Sequence, residues 1–265
     1  MKLINCKQYA QDILDEVKNT PYKKSLWILT MANDHASESY IRGKINDCTY
    51  CGIPFMPIIV EHDKYLAEFI NEGNCDPNVA GIIVQLPLPD GVDETPYIMS
   101  ITPSKDVDGF TPNSPFKPCT PEGIMYVLNK ETTLVGKRVL VIGRGKLVGK
   151  PIIPMLLDVD CTVTIAHSKT TNLDALLEQN DIIISAVGKP KFIDLKKCKA
   201  EIVIDVGVNR DENGKLCGDC YNFEDTGSGM KVTSVPGGIG LMTRAMLMRH
   251  VARVGIAKKC AEDTK

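Results

Sequence analysis

Two sets of residues in this sequence are spaced for chemistry. Gly143, Gly145 and Gly149 follow the β-rich run Arg138–Ile142 and precede an apolar helical pattern, so strand, glycine turn and helix come in succession. Glycines let the chain turn tightly and bring backbone N–H groups up to a pyrophosphate, where the helix dipole favours negative charge. The spacing G-x-G-x-x-x-G is one residue longer than the common dinucleotide fingerprint, but its flanking elements favour dinucleotide binding over an ordinary βα turn. A P-loop fits worse, because Pro151 follows Gly149-Lys150 where Ser or Thr would hold magnesium. The second set is Tyr40 and Lys44, four residues apart on a predicted helix capped by Ser37, so both leave one face. Alone, such a pair is more often a half-buried ring beside a solvated ammonium. Gly43 between them costs about 1 kcal/mol relative to Ala and marks a place where a ligand can approach.

Cofactor choice is written at the end of the next strand, CTVTIAHS, where an NAD enzyme places an acid on the ribose 2′-hydroxyl. Here stand His167, Ser168 and Lys169. With no carboxylate to repel a 2′-phosphate and Arg144 able to reach the same side, NADP is favoured over NAD. The expected chemistry is hydride transfer between this dinucleotide and a small organic substrate.

The elements that must position these residues alternate in type. SLWILTMA, PFMPIIVEH and VAGIIVQLPL read as strands between helical stretches. A Pro-rich stretch, 111–121, interrupts them and marks a hinge or a domain boundary. A second series then runs from KRVLVIG through CTVTIAHS, DIIISAVG and AEIVIDVGVN to KVTSVPGG and a terminal helix. Alternation of this kind implies parallel strands with helices outside.

The 265 residues, 43% apolar, suffice for two modest cores. A net charge of −2 gives no global attraction to nucleic acid or an anionic membrane. No apolar run reaches the roughly twenty residues that span a bilayer, and the start reads as an amphipathic helix rather than a signal peptide. A cytoplasmic protein is expected, so the ten cysteines read as thiols. Cys48/Cys51 and Cys217/Cys220 have C-x-x-C spacing, but they lie far apart in sequence, and the first pair falls on a helix where packing explains it. No metal is expected.

The segments ASESYIRGK, GIIVQLPLP, PSKDVDGF, PCTPEGI, VIGRGKLVGKP, TVTIAHSKT, DIIISAVGKPKFI, VIDVGVN and VPGGIGLMT occur in the order found in one enzyme family. From about Met1 to about Gly255 the chain resembles the bifunctional methylenetetrahydrofolate dehydrogenase/methenyltetrahydrofolate cyclohydrolases. The resemblance implies NADP-dependent oxidation of 5,10-methylenetetrahydrofolate, then hydrolysis of the methenyl product to 10-formyltetrahydrofolate, both reversible and both part of one-carbon metabolism. It implies that Lys44 is the catalytic lysine, Tyr40 stacks on the aminobenzoyl part of folate, Gln85 supports Lys44 and Asp108 binds the pterin. Gly143, Arg144, Gly145, Gly149, Ser168 and Ile239 would hold the cofactor, with Pro236, Gly237 and Gly238 beside nicotinamide and folate. The chemistry fits these residue types. A methenyl cation attacked by water needs a base, and a desolvated lysine facing positive charge favours its neutral amine. Gln85 orients that amine without adding charge.

The implied architecture is two-domain, doubly wound α/β. Residues 1–119, completed by a C-terminal helix at 243–265, would form the folate-facing catalytic domain, and 120–242 a Rossmann-type dinucleotide domain. The cleft would lie between them, and a homodimer would join through the dinucleotide domains. The sequence departs from the family at Gly145, where Ser is usual, at Leu241, where Pro is usual, and in a shorter stretch between Phe110 and Pro118. Two other readings compete: a dehydrogenase without cyclohydrolase activity, and a non-catalytic dinucleotide-binding or redox-sensing module using Cys217 or Cys220.

Overall fold

The computed structural model describes the backbone of residues 1–21, 23–31, 35–224 and 229–262, and their side chains except at 35–39 and 255–262. The chain opens with a short strand, β1 (Lys2–Leu3), and helix α1 (Cys6–Lys18). Then follow β2 (Ser25–Met31), α2 (His35–Cys51), β3 (Phe55–Val60), α3 (Asp63–Cys75), β4 (Val79–Val84) and α4 (Thr95–Ser100). After α5 (Cys119–Glu131) come β5 (Arg138–Ile142), α6 (Gly149–Leu157), β6 (Thr162–Ala166), α7 (Leu173–Gln179) and β7 (Ile182–Ser185). The remainder comprises β8 (Ile193–Asp194), β9 (Ile202–Asp205), β10 (Asn209–Arg210), β11 (Leu216–Cys217), β12 (Cys220–Tyr221), β13 (Lys231–Val232) and α8 (Ile239–Glu262).

The chain divides into two compact units, Met1–Ala10 with Thr120–Thr243, and Gln11–Cys119 with Arg244–Lys265. The first is built on a parallel sheet of order β6-β5-β7-β9-β13-β1. Its inner strands β7 and β9 are buried along their whole length, as a parallel sheet covered by helices on both faces requires, which is why they read as unbroken Ile and Val runs. The core includes Leu140, Ile142, Ile183, Val203 and Val232. Because every strand is parallel, the loops leaving β5, β6, β7 and β13 gather on one edge. Strand order reverses between β5 and β7, the place where open α/β sheets bind ligands.

The second unit has a parallel three-stranded sheet, β3-β2-β4, with a core around Trp27, Leu29, Leu66, Ile70 and Ile82. β3 is an edge strand and tolerates Pro57, which cannot donate to a ladder. Here the order reverses between β2 and β4.

The boundaries differ from expectation at two points. Residues 1–10 do not join 11–119, because Lys2 and Leu3 pair with Lys231 and Val232 and extend the six-stranded sheet. The terminal helix begins at Ile239 rather than 243, so Ile239 and Gly240 are its first residues instead of loop. Ser37, the expected cap of α2, has a side chain outside the described residues.

Candidate active site

In the second unit, α2 follows β2 and carries Tyr40 and Lys44, while Gln85 directly follows β4, so both sides of the strand-order reversal contribute. Lys44 is 8% exposed, and its Nζ donates to Gln85 Oε1 at 2.9 Å. Gln85 Nε2 donates to the Leu86 carbonyl at 2.7 Å, which turns the amide oxygen toward the amine. Burial holds the Lys44 amine below the ordinary lysine range, and the Asp108 carboxylate is the strongest opposing influence. Burial likewise raises the Asp108 carboxyl, against the pull of Lys44. Burial also raises the half-buried Tyr40 phenol, with Arg244 opposing. The structure therefore brings Lys44, Gln85 and Asp108 together and sets Tyr40 one helical turn before Lys44.

The segment holding Asp108 depends on its neighbour Asp106, which sequence reasoning passed over. Asp106 is buried and accepts from Gly109 N at 2.9 Å, Thr111 N at 2.6 Å and Thr111 Oγ1 at 2.8 Å. Of two aspartates in K-D-V-D-G, the first is thus a backbone staple that presents the second. Gly109 is required there: its φ is +79°, and a Cβ would lie 2.5 Å from the Lys117 carbonyl oxygen. Cys119 and His250 were also missed. His250 Nδ1 lies 2.8 Å from the Val107 carbonyl, so that nitrogen carries the proton, and the ring stacks on Phe116 at 4.3 Å. The Cys119 thiol donates to the same carbonyl and bears electrostatically on Lys44. His250 sits inside an apolar helical pattern 142 residues after Asp108, and nothing local marks it.

Gly43 does not face a ligand. A Cβ there would lie 1.8 Å from Arg244 Nη1, so the guanidinium occupies the space that the missing side chain leaves.

In the first unit, Gly143 leaves β5 with φ +105°, and a Cβ on it would meet the Ala186 carbonyl oxygen at 2.3 Å. A Cβ on Gly149 would lie 2.1 Å from the Gly143 oxygen. Both glycines are needed to close the turn, whereas a Cβ on Gly145 would meet nothing within 4 Å. α6 begins at Gly149 with no side-chain cap, and Arg144, Lys146 and Lys150 are exposed around it. This open, cation-lined cradle at the strand-order reversal fits a pyrophosphate. Ser168 lies exposed in the turn after β6, the strand beside β5. Pro236 and Gly237 are exposed after β13 on the same sheet edge. Ile239 is 2% exposed, which leaves its backbone rather than its side chain for a ligand.

A buried carboxylate holds the β7 loop on that edge. Asp219 accepts from Ser185 Oγ at 2.9 Å, Val187 N at 2.8 Å, Lys189 N at 2.9 Å and Asn209 Nδ2 at 3.0 Å.

Among the described residues no group of three or more His, Cys, Asp or Glu is arranged to hold a metal, and no helix is long and apolar enough to cross a membrane. Cys48 and Cys51 are buried packing thiols, pushed up to about 12 and about 11 by desolvation. Burial also raises Cys217 and Cys220, the opposite of what a reactive sensor thiol needs.

Comparison with known proteins gives the same reading. The tetrahydrofolate dehydrogenase/cyclohydrolase catalytic-domain family matches residues 4–108, and the NAD(P)-binding-domain family of the same enzymes matches 118–259. The Bifunctional protein FolD of Methanoculleus marisnigri is 40% identical over 264 residues, covering 94% of this chain and 93% of that one. The crystal structure of the Campylobacter jejuni bifunctional methylenetetrahydrofolate dehydrogenase/cyclohydrolase superposes with a TM-score of 0.91 at 35% identity, covering 97% of this chain and 99% of that one. The Trypanosoma brucei dehydrogenase-cyclohydrolase, complexed with NADP cofactor and inhibitor, gives 0.87 at 26% identity with 97% of each chain covered. The chain belongs to the tetrahydrofolate dehydrogenase/cyclohydrolase family and is an enzyme with both activities, using a nicotinamide dinucleotide.

Proposed function

We propose that Lys44 is the proton acceptor of the cyclohydrolase step, that Gln85 supports it, that Tyr40 and Asp108 hold the folate beside it, and that the cofactor is NADP. The observation that carries this reading is the buried Lys44–Gln85 bond of 2.9 Å, which orients the amine through a neutral partner.

The Gly143–Gly149 turn, with Arg144 and Ser168, would hold the dinucleotide at its pyrophosphate and 2′ side, and the bound cofactor would supply a nicotinamide to accept the hydride that leaves the methylene carbon of the folate. The chain's part in that step is orientation and exclusion of water, with the backbone of Pro236, Gly237, Gly238 and Ile239 contributing. The methenyl product is a delocalised cation. Water attacks its one-carbon centre, the C–O bond forms, and neutral Lys44 takes the proton that water loses. That proton then passes to N5 as the N5–C bond breaks, while the hydroxyl of the adduct gives up its own proton to solvent and becomes the formyl carbonyl, leaving 10-formyltetrahydrofolate and one released proton. A charged carboxylate bonded directly to Lys44 would keep the amine protonated, whereas Gln85 does not. Asp108 offers acceptors to the N–H-rich edge of the pterin, and the Tyr40 ring suits the aminobenzoyl face.

Mixing the protein with methylenetetrahydrofolate and either NADP or NAD, while following the reduced-nicotinamide and methenyl absorbances, tests both steps. NADP-dependent reduction followed by enzymatic methenyl decay is expected. Methenyl accumulation that decays no faster than in buffer would instead establish a monofunctional dehydrogenase.

NADP preference rests on Ser168 and Arg144 at the end of β6 and in the glycine turn, with no carboxylate at His167-Ser168-Lys169. Ser168→Asp places a negative charge where a 2′-phosphate would sit and removes a donor. A charge-assisted hydrogen bond is worth about 1.5–3 kcal/mol, so the NADP/NAD ratio of kcat/KM should fall roughly ten- to a hundredfold. An unchanged ratio would show that these residues do not read the 2′ position.

A cytoplasmic location fits the reduced thiols at all nine cysteines whose side chains are described, a state kept in reducing compartments. Leu147, Leu157 and Ile165 are exposed on the β6 side of the dinucleotide unit, apolar surface that favours a homodimer joined through that unit.

A further inference from the structure

α8 enters the second unit at Arg244, and its guanidinium lies in the notch that Gly43 leaves on α2, next to the Lys44 position. Any side chain at residue 43 would collide with it, since even a Cβ would stand 1.8 Å from Nη1 and 2.7 Å from Cζ. On the other side of the notch, Arg244 Nε is 2.8 Å from Asp47 Oδ2, one helical turn beyond Gly43. Asp47 is 8% exposed. The ion pair is close, yet Nε lacks a well-formed hydrogen bond, so the contact is not one optimised for bonding. A glycine and an aspartate of α2 and an arginine distant in sequence are thus fitted to one another to seat a half-buried cation on the helix that carries Lys44.

We propose that Arg244, lodged over Gly43 and paired with Asp47, is a positioning residue for Lys44 that places a permanent cation beside the amine. The proposal rests on the reading of Lys44 as proton acceptor. An arginine stays charged at every working pH, so its field disfavours a second positive charge nearby and supports the neutral amine. The groups facing Lys44 divide by sign. On α2 itself stand Tyr40, Asp47 and Cys48. The loop before α5 contributes Asp108, backed by Asp106, and α5 begins with the Cys119 thiol. From α8 comes Arg244, while His250 bears on Asp108. Asp108 favours the ammonium, and Arg244 opposes it alongside burial, while Cys48 and Cys119 stand by as neutral thiols. Asp47 anchors the guanidinium and offsets part of the cost of burying it.

The test is the pH profile of methenyl hydrolysis for Arg244→Gln, Arg244→Lys and the double variant Asp47→Asn/Arg244→Gln, with Lys44→Met alongside. Removing the cation raises the pH at which Lys44 becomes neutral. The acid limb of Arg244→Gln is expected to rise by about half a unit to one unit, a loss of roughly three- to tenfold below the limb that is recovered above it. Arg244→Lys should restore the limb close to its original position. Arg244→Gln strands a buried carboxylate and can lose its fold, so the double variant, which leaves none, carries the same expectation of a raised limb. A double variant whose profile superimposes on the parent after scaling of kcat overturns the proposal. Hydrolysis by Lys44→Met at the parent rate overturns the underlying reading instead, and the two failures are told apart in one experiment.

Discussion

Lys44→Met is expected to remove methenyl hydrolysis almost entirely, because general acid–base catalysis by a positioned side chain contributes about 10²–10⁴-fold. Methionine fills nearly the same volume as the lysine stem, so the packing around residue 44 is kept while the amine goes. The cost to folding falls on Gln85 Oε1, which loses the donor held at 2.9 Å, and on the buried Asp108 carboxyl, which loses the pull of the amine. An unsatisfied buried acceptor costs about 1–3 kcal/mol, which lowers the melting temperature without unfolding the chain. Lys44→Arg separates a base from a mere charge. It keeps the cation but cannot release a proton near neutrality, and it should be as inactive as Lys44→Met. In the parent enzyme the rate should rise with pH through a limb below the ordinary lysine range, since burial is the largest influence on the amine and favours its neutral form. Rates measured from pH 5 to 9, together with folate KM, decide the matter. A Lys44→Arg variant that hydrolyses within a few-fold of the parent would mean that charge, not proton transfer, is what residue 44 supplies.

Why Lys44 was visible in the sequence and Arg244 was not has a physical explanation. Tyr40 and Lys44 lie on one helix, and helical spacing alone puts them on one face. The strands were visible for a related reason: β4, β7 and β9 are buried on both faces and read as continuous apolar runs. The glycine turn was legible because backbone geometry after a strand leaves few alternatives to glycine at Gly143. Contacts made by chain reversal left no local trace. Asp47 and Arg244 are brought together only when α8 packs beside α2, and Asp106 of K-D-V-D-G becomes a backbone staple only once the loop folds back on it. Gly43 was noticed as an anomaly, but its partner proved to be this chain's own arginine rather than a ligand. The start of α8 was misjudged because Gly237, Gly238 and Gly240 have low helix propensity, while the fold begins the helix at Ile239, whose side chain is buried. β1 is two residues long and offers no period to read.

The other large effect is expected at Gly143, and it should fall on one activity alone. Gly143→Ala places an L side chain at φ +105° and drives its Cβ to within 2.3 Å of the Ala186 carbonyl oxygen. Both faults act on backbone, which cannot swing aside as a side chain would. Left-handed backbone alone costs an L residue about 1–2 kcal/mol, and relief of the clash must push the turn off the end of β5 or part β5 from β7. Either movement dismantles the cradle for the dinucleotide, so the nucleotide KM should rise more than tenfold, as loss of one or two charge-assisted hydrogen bonds implies. Lys44, Gln85 and Asp108 all belong to the other compact unit. Methenyltetrahydrofolate supplied directly should therefore still be hydrolysed within a few-fold of the parent rate. Gly145→Ser is the matched control: its Cβ meets nothing within 4 Å, so folding is retained, and the added hydroxyl, directed into the open cradle, should lower the nucleotide KM. Calorimetry, nucleotide titration and the two assays run on both variants separate these effects. If Gly143→Ala bound nucleotide like the parent, or Gly145→Ser lost it, the cradle would have been placed on the wrong residues of the turn.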